Sequence, residues 1–290
     1  MDDISIFSVN NHLDYSIEDI VLKYSKRGMD ILQQYLGENY CLHAAQKILA
    51  LKRGNILLTT GFCVSGKAET DGPPGTILLA HALEKLDFHP VIITDEICRN
   101  LFEPEHLQVE YVSTYTDKAA YEKILATYDP VCLISIERCG RNKKEDYANM
   151  RGISIADQTA QIDLMFELAG KKGILTIGIG DGGNEIGMGN LKDVIEEKLG
   201  LNPCTVTVDE LIIATVSNWG AYALAAYLAV LQHKSLLLSY RELSGYLEHI
   251  VSLGCIDGVT KKSEPSVDGF PPDIEREILG TLYLISSAAS

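Results

Sequence analysis

Short apolar runs separated by stretches of helical periodicity constrain this chain most. The runs are Asn55–Thr60, Val91–Thr94, Gln108–Ser113, Val131–Ile136, Gly173–Ile177 and Leu211–Val216. Helical patterns at Thr76–Leu86, Asp117–Tyr128, Asp157–Gly170, Leu191–Leu199 and Trp219–Gln232 fall between or after them. A strand too apolar for one wet face, followed by a helix and another such strand, predicts an α/β fold. The expected form is a doubly wound, mainly parallel sheet flanked by helices. In such sheets ligands bind beyond the carboxyl ends of the strands, so the loops leaving Thr60, Ile136 and Ile177 are where chemistry is expected.

The flanks read as helical. Ser16, with Asp19 three residues on, looks like a capping box opening a helix that runs toward Leu36 and stops at Gly37. A second helix covers Tyr40–Leu51, and neither contains anything that resembles chemistry. Further helices are expected over Ser239–Leu253 and Pro272–Leu284. Residues 1–290 are expected to form a single domain, with 1–54 as a helical part packed on it.

Charge narrows the partners. With a net charge of −15 and acids spread along the chain, nucleic acid and anionic membrane surfaces are disfavoured. A small acidic metabolite is the expected partner; it would need local cations or a metal. Self-association into a homo-oligomer remains open. The seven cysteines form no CxxC pair and their number is odd, which points to a reducing, cytoplasmic setting. Met1-Asp2-Asp3-Ile4 has acids where a signal peptide needs basic residues, and no apolar run approaches membrane-spanning length. The histidines show no metal-ligand spacing.

Three loops carry unusual chemistry. The first, Thr59 to Gly75, holds Lys67, Glu69 and Asp71. Its Gly66-Lys67 is not a phosphate-binding P-loop, because Ala68 follows the lysine and Pro73-Pro74 is read as forbidding a helix through the segment. The second, Glu137-Arg138-Cys139-Gly140-Arg141 and onward through Tyr147, Asn149 and Arg151, offers planar forks suited to a carboxylate or phosphate. An internal ion-pair network is the competing role for those arginines, and Cys139 is read as a packing residue. The third, Gly178 to Asn190, is glycine-rich and carries Asp181, Asn184 and Glu185 among Gly180, Gly182 and Gly183. Oxygen donors of this kind suit a hard cation, Mg²⁺ or Mn²⁺, and the expected ligands are Glu69, Asp71, Asp181 and Glu185. The glycines partly match a dinucleotide fingerprint, without the acidic strand end expected downstream. Two late Asp-Gly pairs, at Asp257 and Asp268, read first as ordinary turns.

Taken together, Glu69-Thr70-Asp71-Gly72-Pro73-Pro74-Gly75, Ile136-Glu137-Arg138-Cys139-Gly140-Arg141 with Tyr147, Asn149 and Arg151, and Gly180 through Gly189 resemble the D-glutamate cyclase family. The late Asp257-Gly258-Val259-Thr260 and Ser266-Val267-Asp268-Gly269 complete the pattern, in order and over most of the chain; Cys139 stands where alanine is expected. The resemblance implies conversion of D-glutamate to 5-oxo-D-proline with loss of water. On it, Glu137, Asp181 and Glu185 are expected to be catalytic. Lys67, Arg138, Arg141, Asn149, Arg151, Gly182, Gly183 and Asn184 are expected to bind substrate. A metal-dependent hydrolase or phosphatase using the same acids, and a non-enzymatic small-ligand sensor, are the alternatives.

Overall fold

The computed structural model describes residues 16–288; the acidic N-terminus from Met1 lies outside them. Six strands form one sheet: β1 (Asn55–Thr60), β4 (His89–Asp95), β5 (Gln108–Val112), β6 (Cys132–Ile136), β7 (Leu175–Gly180) and β8 (Glu210–Ile213). Their spatial order is β5-β4-β1-β6-β7-β8, and every neighbouring pair is parallel. The chain therefore winds outward from β1 through β4 to β5, returns to β6 beside β1, and winds outward again. The reversal between β1 and β6 opens a crevice at the carboxyl end of the sheet, where ligands bind in folds of this kind.

Burial explains why these strands are apolar throughout. Every residue of β6 and all of β1 but its first are buried, because helices cover both faces. One layer centres on α7 (Ser217–Gln232), which packs against α3 (Tyr40–Ala50), α4 (Pro73–Glu84), α9 (Pro272–Ala288) and α1 (Ile17–Leu22). Its alanine-rich sequence lets it be buried from Ser217 through Val230. Helices α5 (Lys118–Tyr128) and α6 (Asp163–Lys171) pack on each other elsewhere, and α8 (Tyr240–Ser252) lies against α4 and α9.

Several boundaries differ from the sequence reading for physical reasons. The helix expected from Ser16 to Leu36 is two: α1 stops at Leu22 and α2 (Met29–Leu36) starts after Gly28. Gly28, the N-cap of α2, has φ +85°, a left-handed conformation that suits glycine and keeps α2 from extending back toward α1. Pro73 and Pro74 do not forbid a helix but open α4 as its first residues, positions whose N–H groups have no intrahelical partner. The stretch expected as a helix over Leu191–Leu199 is a succession of short 3₁₀, α and π turns. A small antiparallel hairpin, β2 (Cys63–Val64) with β3 (Lys67–Ala68), stands beyond β1. Ser65 and Gly66 close it with φ +53° and +77°, the signature of a two-residue hairpin turn. The N-terminal helices are tied in by polar contacts: Tyr40 donates to the Ile213 carbonyl at 2.9 Å, and buried Glu18 accepts from Tyr227 at 2.7 Å and from the Cys41 N–H at 3.1 Å.

Candidate active site

A cavity of about 680 Å³ lies at this crevice, within the range that holds a small metabolite. Five acids line it: Glu69, Glu137, Asp181, Glu185 and Asp268. A sixth, Asp71, is buried behind them. Glu69 follows the hairpin after β1, where Ile256 brackets it by donating to the Ala68 carbonyl and accepting from the Thr70 N–H. Glu137 directly follows β6 with φ +46°, an uncommon conformation for a residue with a Cβ. That turn aims its carboxyl back over the sheet end, where it accepts from Ser217 Oγ at 2.6 Å.

The N-terminus of α7 organises the inner acids. The N–H groups of Ser217 and Asn218 donate to Asp71 at 2.9 and 2.8 Å, and Gly72 N–H adds a third bond at 2.9 Å. Asn218 Oδ1 in return accepts from Gly72 and Gly75 at 3.0 and 2.7 Å. First-turn N–H groups and the helix dipole both favour a carboxylate there.

The central loop is shaped by its own acid. Glu185 folds back to accept from the Gly183 N–H at 2.8 Å. A Cβ at Gly180 would stand 2.9 Å from Glu185 Oε2, and one at Gly182 would stand 2.7 Å from Oε1. Gly180 and Gly182 make room for Glu185, and the Gly183 N–H is spent on Glu185 inside the protein. Asn184, on the cavity wall, donates to the Ala148 carbonyl at 2.9 Å, and its buried Oδ1 has no partner among the described residues.

The cation that balances this cluster comes from the segment that showed no chemistry in sequence. Arg27, between α1 and α2, donates from Nη1 to Asp181 Oδ1 at 2.7 Å. Its Nη2 lies 2.8 Å from Asp268 Oδ2, an ion pair without the alignment of a hydrogen bond. Asp181 is 1% exposed, and its second oxygen has no partner among the described residues. Oxygens of Asp71, Glu137 and Asp181 lie within 4.8 Å of one another. The structure therefore groups Asp71 and Asp181 with Glu137, where the sequence reading joined them to Glu69 and Glu185.

Crowding raises the proton affinity of these groups. Burial, then the charges of Asp268 and Asp71, holds Glu69 well above the usual carboxylate range. Burial, then Glu185 and Asp71, does the same to Glu137. Burial lifts Asp181 despite Arg27, and it pushes Asp71 up to about 8 despite the α7 N–H groups. Glu185 rises too, burial outweighing its own loop's N–H donors. For Arg27 burial opposes the charge, but Asp181 and Asp268 outweigh it and secure the cation.

Other expected residues fall elsewhere. Arg138 is fully buried and turned away from the cavity: it grips Asp95 with both terminal nitrogens and donates to the carbonyls of Gly61 and Ala160 at 2.8 and 2.7 Å. It is the internal ion pair, not a substrate ligand. Arg141 pairs with Glu167 and Glu145 outside the cavity, and Lys67 is exposed on the hairpin and does not line it. Asn149 and Arg151 do reach the rim; Asn149 Oδ1 holds its own turn by accepting from the N–H groups of Arg151 and Ile153. Cys139 packs with Phe62, Val64, Tyr147 and Ile256, as a small apolar residue. Asp257 is a turn brace, accepting from Val259, Thr260, Ser266 and Gly269, whereas Asp268, at φ +54°, enters the site. Lys261, at the rim, was absent from the sequence reading.

This constellation sits in a recognisable setting. The family model described as D-glutamate cyclase-like, C-terminal, matches residues 17–283, and the chain belongs to that family. Among curated proteins, the mitochondrial D-glutamate cyclase of Homo sapiens is 36% identical over 203 residues, covering 61% of this chain and 33% of the human protein. The chain thus spans about a third of the length of that relative. A solved structure, the Bordetella bronchiseptica enzyme WbmG in complex with NAD and UDP, aligns with 70% of this chain and 61% of its own at 13% identity and a TM-score of 0.31, too distant to inform the site. No helix among the described residues is long and apolar enough to cross a membrane.

Proposed function

We propose that this protein is a D-glutamate cyclase, a lyase that closes D-glutamate to 5-oxo-D-proline with loss of water. The carrying observation is a cavity whose buried carboxyl groups have raised proton affinity and face a few cations. Cyclisation moves two protons from the substrate's nitrogen to one γ-oxygen, which departs as water, with no net gain or loss of protons. Acids whose proton affinity is raised can hold a proton at one step and pass it on at another, which suits such a transfer. Where neighbouring carboxyls are pushed apart in proton affinity, their roles divide. Glu185, with an N–H donor supporting its charged form, is the acceptor for the ammonium proton. Glu137, its proton held by burial and by Glu185, supplies one proton to the departing oxygen and regains one from the ring nitrogen, and Glu185 delivers the ammonium proton to the same oxygen, so both acids end as they began. Arg27, Arg151 and Lys261 are the lining cations available to the substrate's carboxylates.

Asp71 and Asp181 as carboxylates, with the carbonyl oxygen of protonated Glu137 as a neutral third donor, fit a divalent cation, and the Asp181 oxygen without a partner among the described residues supports this. Bound there, Mg²⁺ or Mn²⁺ would polarise the γ-carboxylate and offset its charge. A phosphatase reading loses support because, of the arginines it needs for phosphate, Arg138 is enclosed in an internal ion pair and Arg141 pairs with acids outside the cavity. Incubating the purified protein with D- and L-glutamate, with and without Mn²⁺, tests the proposal. 5-Oxoproline formed from the D-enantiomer is expected; its absence from every mixture sinks the cyclase reading, and binding without turnover leaves the sensor.

A further inference from the structure

Arg27 holds its acids in a way that is not its strongest. A guanidinium binds best when its two parallel N–H groups meet the two oxygens of one carboxylate. Arg138 comes close to that with Asp95. Arg27 instead divides its fork between Asp181, on the loop after β7, and Asp268, on the loop before α9, and only the first contact is an aligned hydrogen bond. Its side chain is 23% exposed while the Asp181 side chain is 1% exposed, and Arg27 lines the cavity. It rides on the non-helical stretch between α1 and α2, with no helical turn fixing its backbone.

Asp181 is also the residue that Arg27 shares with the buried trio. Asp71 and Glu137 bring oxygens close to it, and its unpartnered oxygen leaves coordinating capacity unused. A divalent cation there would take over the neutralisation that Arg27 supplies and repel the guanidinium, since like charges at a few ångströms in a poorly solvated site interact strongly. The released fork would then meet a dicarboxylate substrate with its preferred two-bond geometry. This also addresses a charge problem: an anionic substrate enters a cavity lined by five acids only if cations turn toward it.

We infer that Arg27 is a tethered stand-in cation: it occupies Asp181 until a divalent ion enters, then exchanges that carboxylate for one on the substrate, so that ion and substrate bind cooperatively through it. The inference rests on the cyclase reading and its cation site, and it adds the coupling and the residue that transmits it. Reciprocity requires that the ion tighten substrate binding by the same factor by which substrate tightens the ion.

Calorimetric titration reads this without turnover of the loaded enzyme, using Mn²⁺ alone, D-glutamate alone at low temperature, and each in the presence of the other. In the wild type each partner is expected to raise the other's affinity roughly tenfold, within the usual span of coupling between sites. In Arg27→Gln, Mn²⁺ affinity should stay level or rise, D-glutamate affinity should fall, and the mutual enhancement should vanish. Arg27→Lys keeps a charge without a fork and should show weakened coupling. Melting curves confirm that each variant is folded; if Gln unfolds, Lys carries the test alone. Enhancement surviving undiminished in a folded variant, or wild type binding both partners independently, overturns the inference while leaving the cyclase reading intact. Wild type that binds no Mn²⁺ removes the inference with its cation site, and wild type that neither binds nor turns over D-glutamate removes the cyclase reading itself.

Discussion

The turn between α1 and α2 and the loop after β6 each deliver an arginine to a buried aspartate, but with opposite consequences. On the loop after β6, Arg138 is wholly enclosed, with Asp95 and two carbonyls answering its terminal nitrogens. At the turn, Arg27 is partly exposed, lines the cavity and divides its fork between two acids. An enclosed guanidinium whose terminal nitrogens are all answered fixes architecture; a partly exposed one with a divided grip can exchange partners. The same residue type in the same kind of pair thus serves structure in one region and the site in the other, and enclosure tells them apart.

The sharpest way to break this comparison lies in two adjacent residues that face opposite ways. Glu137 points into the cavity and Arg138 away from it. Glu137→Gln keeps the shape and the bond from Ser217 but cannot supply a proton, so kcat for D-glutamate should fall by about 10²–10⁴ with little change in melting temperature. A variant with unaltered kcat would take Glu137 out of proton transfer; one that loses substrate affinity while keeping kcat would make it a positioning group only.

Arg138→Met should do the reverse. It leaves Asp95 buried beside an apolar chain, a loss of about 3–5 kcal/mol in unfolding free energy when one partner of a buried pair is removed. Whatever protein remains folded should bind D-glutamate normally. If Arg138→Met instead melts like the wild type and fails to bind, the enclosed arginine belongs to the site after all.

The acid cluster provides a smaller effect with a definite sign. Asp71 titrates at about 8 in the folded chain, against about 3.9 for an unperturbed aspartate. Between those values the folded state binds more protons than the unfolded one, so this group lowers stability as pH rises. The ligand-free protein, kept in chelator, should lose melting temperature from pH 5 toward pH 8, and Asp71→Asn should flatten that decline. A wild-type melting temperature that climbs over this range would show that the α7 N–H groups keep Asp71 charged and that burial does not dominate.

Legibility in the sequence follows the range of the interactions involved. The sheet was readable because strands covered on both faces must be apolar along their length, as in Cys132–Ile136. The loops after β1, β6 and β7 were readable because strand ends at a winding reversal collect ligand chemistry, and Glu69, Glu137, Asp181, Asn184 and Glu185 do line the cavity. Arg27 was not, since nothing local says that the helix from Ser16 stops at Leu22 or that the turn after it reaches a loop 154 positions away; its one signal is the basic Lys26-Arg27 before a glycine in an acidic chain. Asp257 and Asp268 occupy matching Asp-Gly pairs, yet one braces a turn and the other pairs with Arg27. Residue type could not separate them, because the difference is only the direction each carboxyl faces after the loop closes.

Arg141 makes the smallest and most discriminating test. From sequence it and Arg138 are alike, two forks in one loop after a buried strand. In the structure Arg141 is 19% exposed at its side chain and pairs with Glu167 and with Glu145, the latter 76% exposed. Water and salt screen such pairs, so their net worth is modest, about 0.2–1 kcal/mol. Arg141→Ala should therefore cost no more than that in unfolding free energy, less at high salt, and should leave D-glutamate turnover unchanged. This separates three places an arginine can occupy in one protein: enclosed, where removal unfolds; lining the cavity, where removal uncouples ligands; and outside the cavity in partly exposed pairs, where removal does little. A large loss of turnover in Arg141→Ala with the melting temperature preserved would move it from the third place to the second, meaning that the loop carrying it closes over the cavity when substrate is bound.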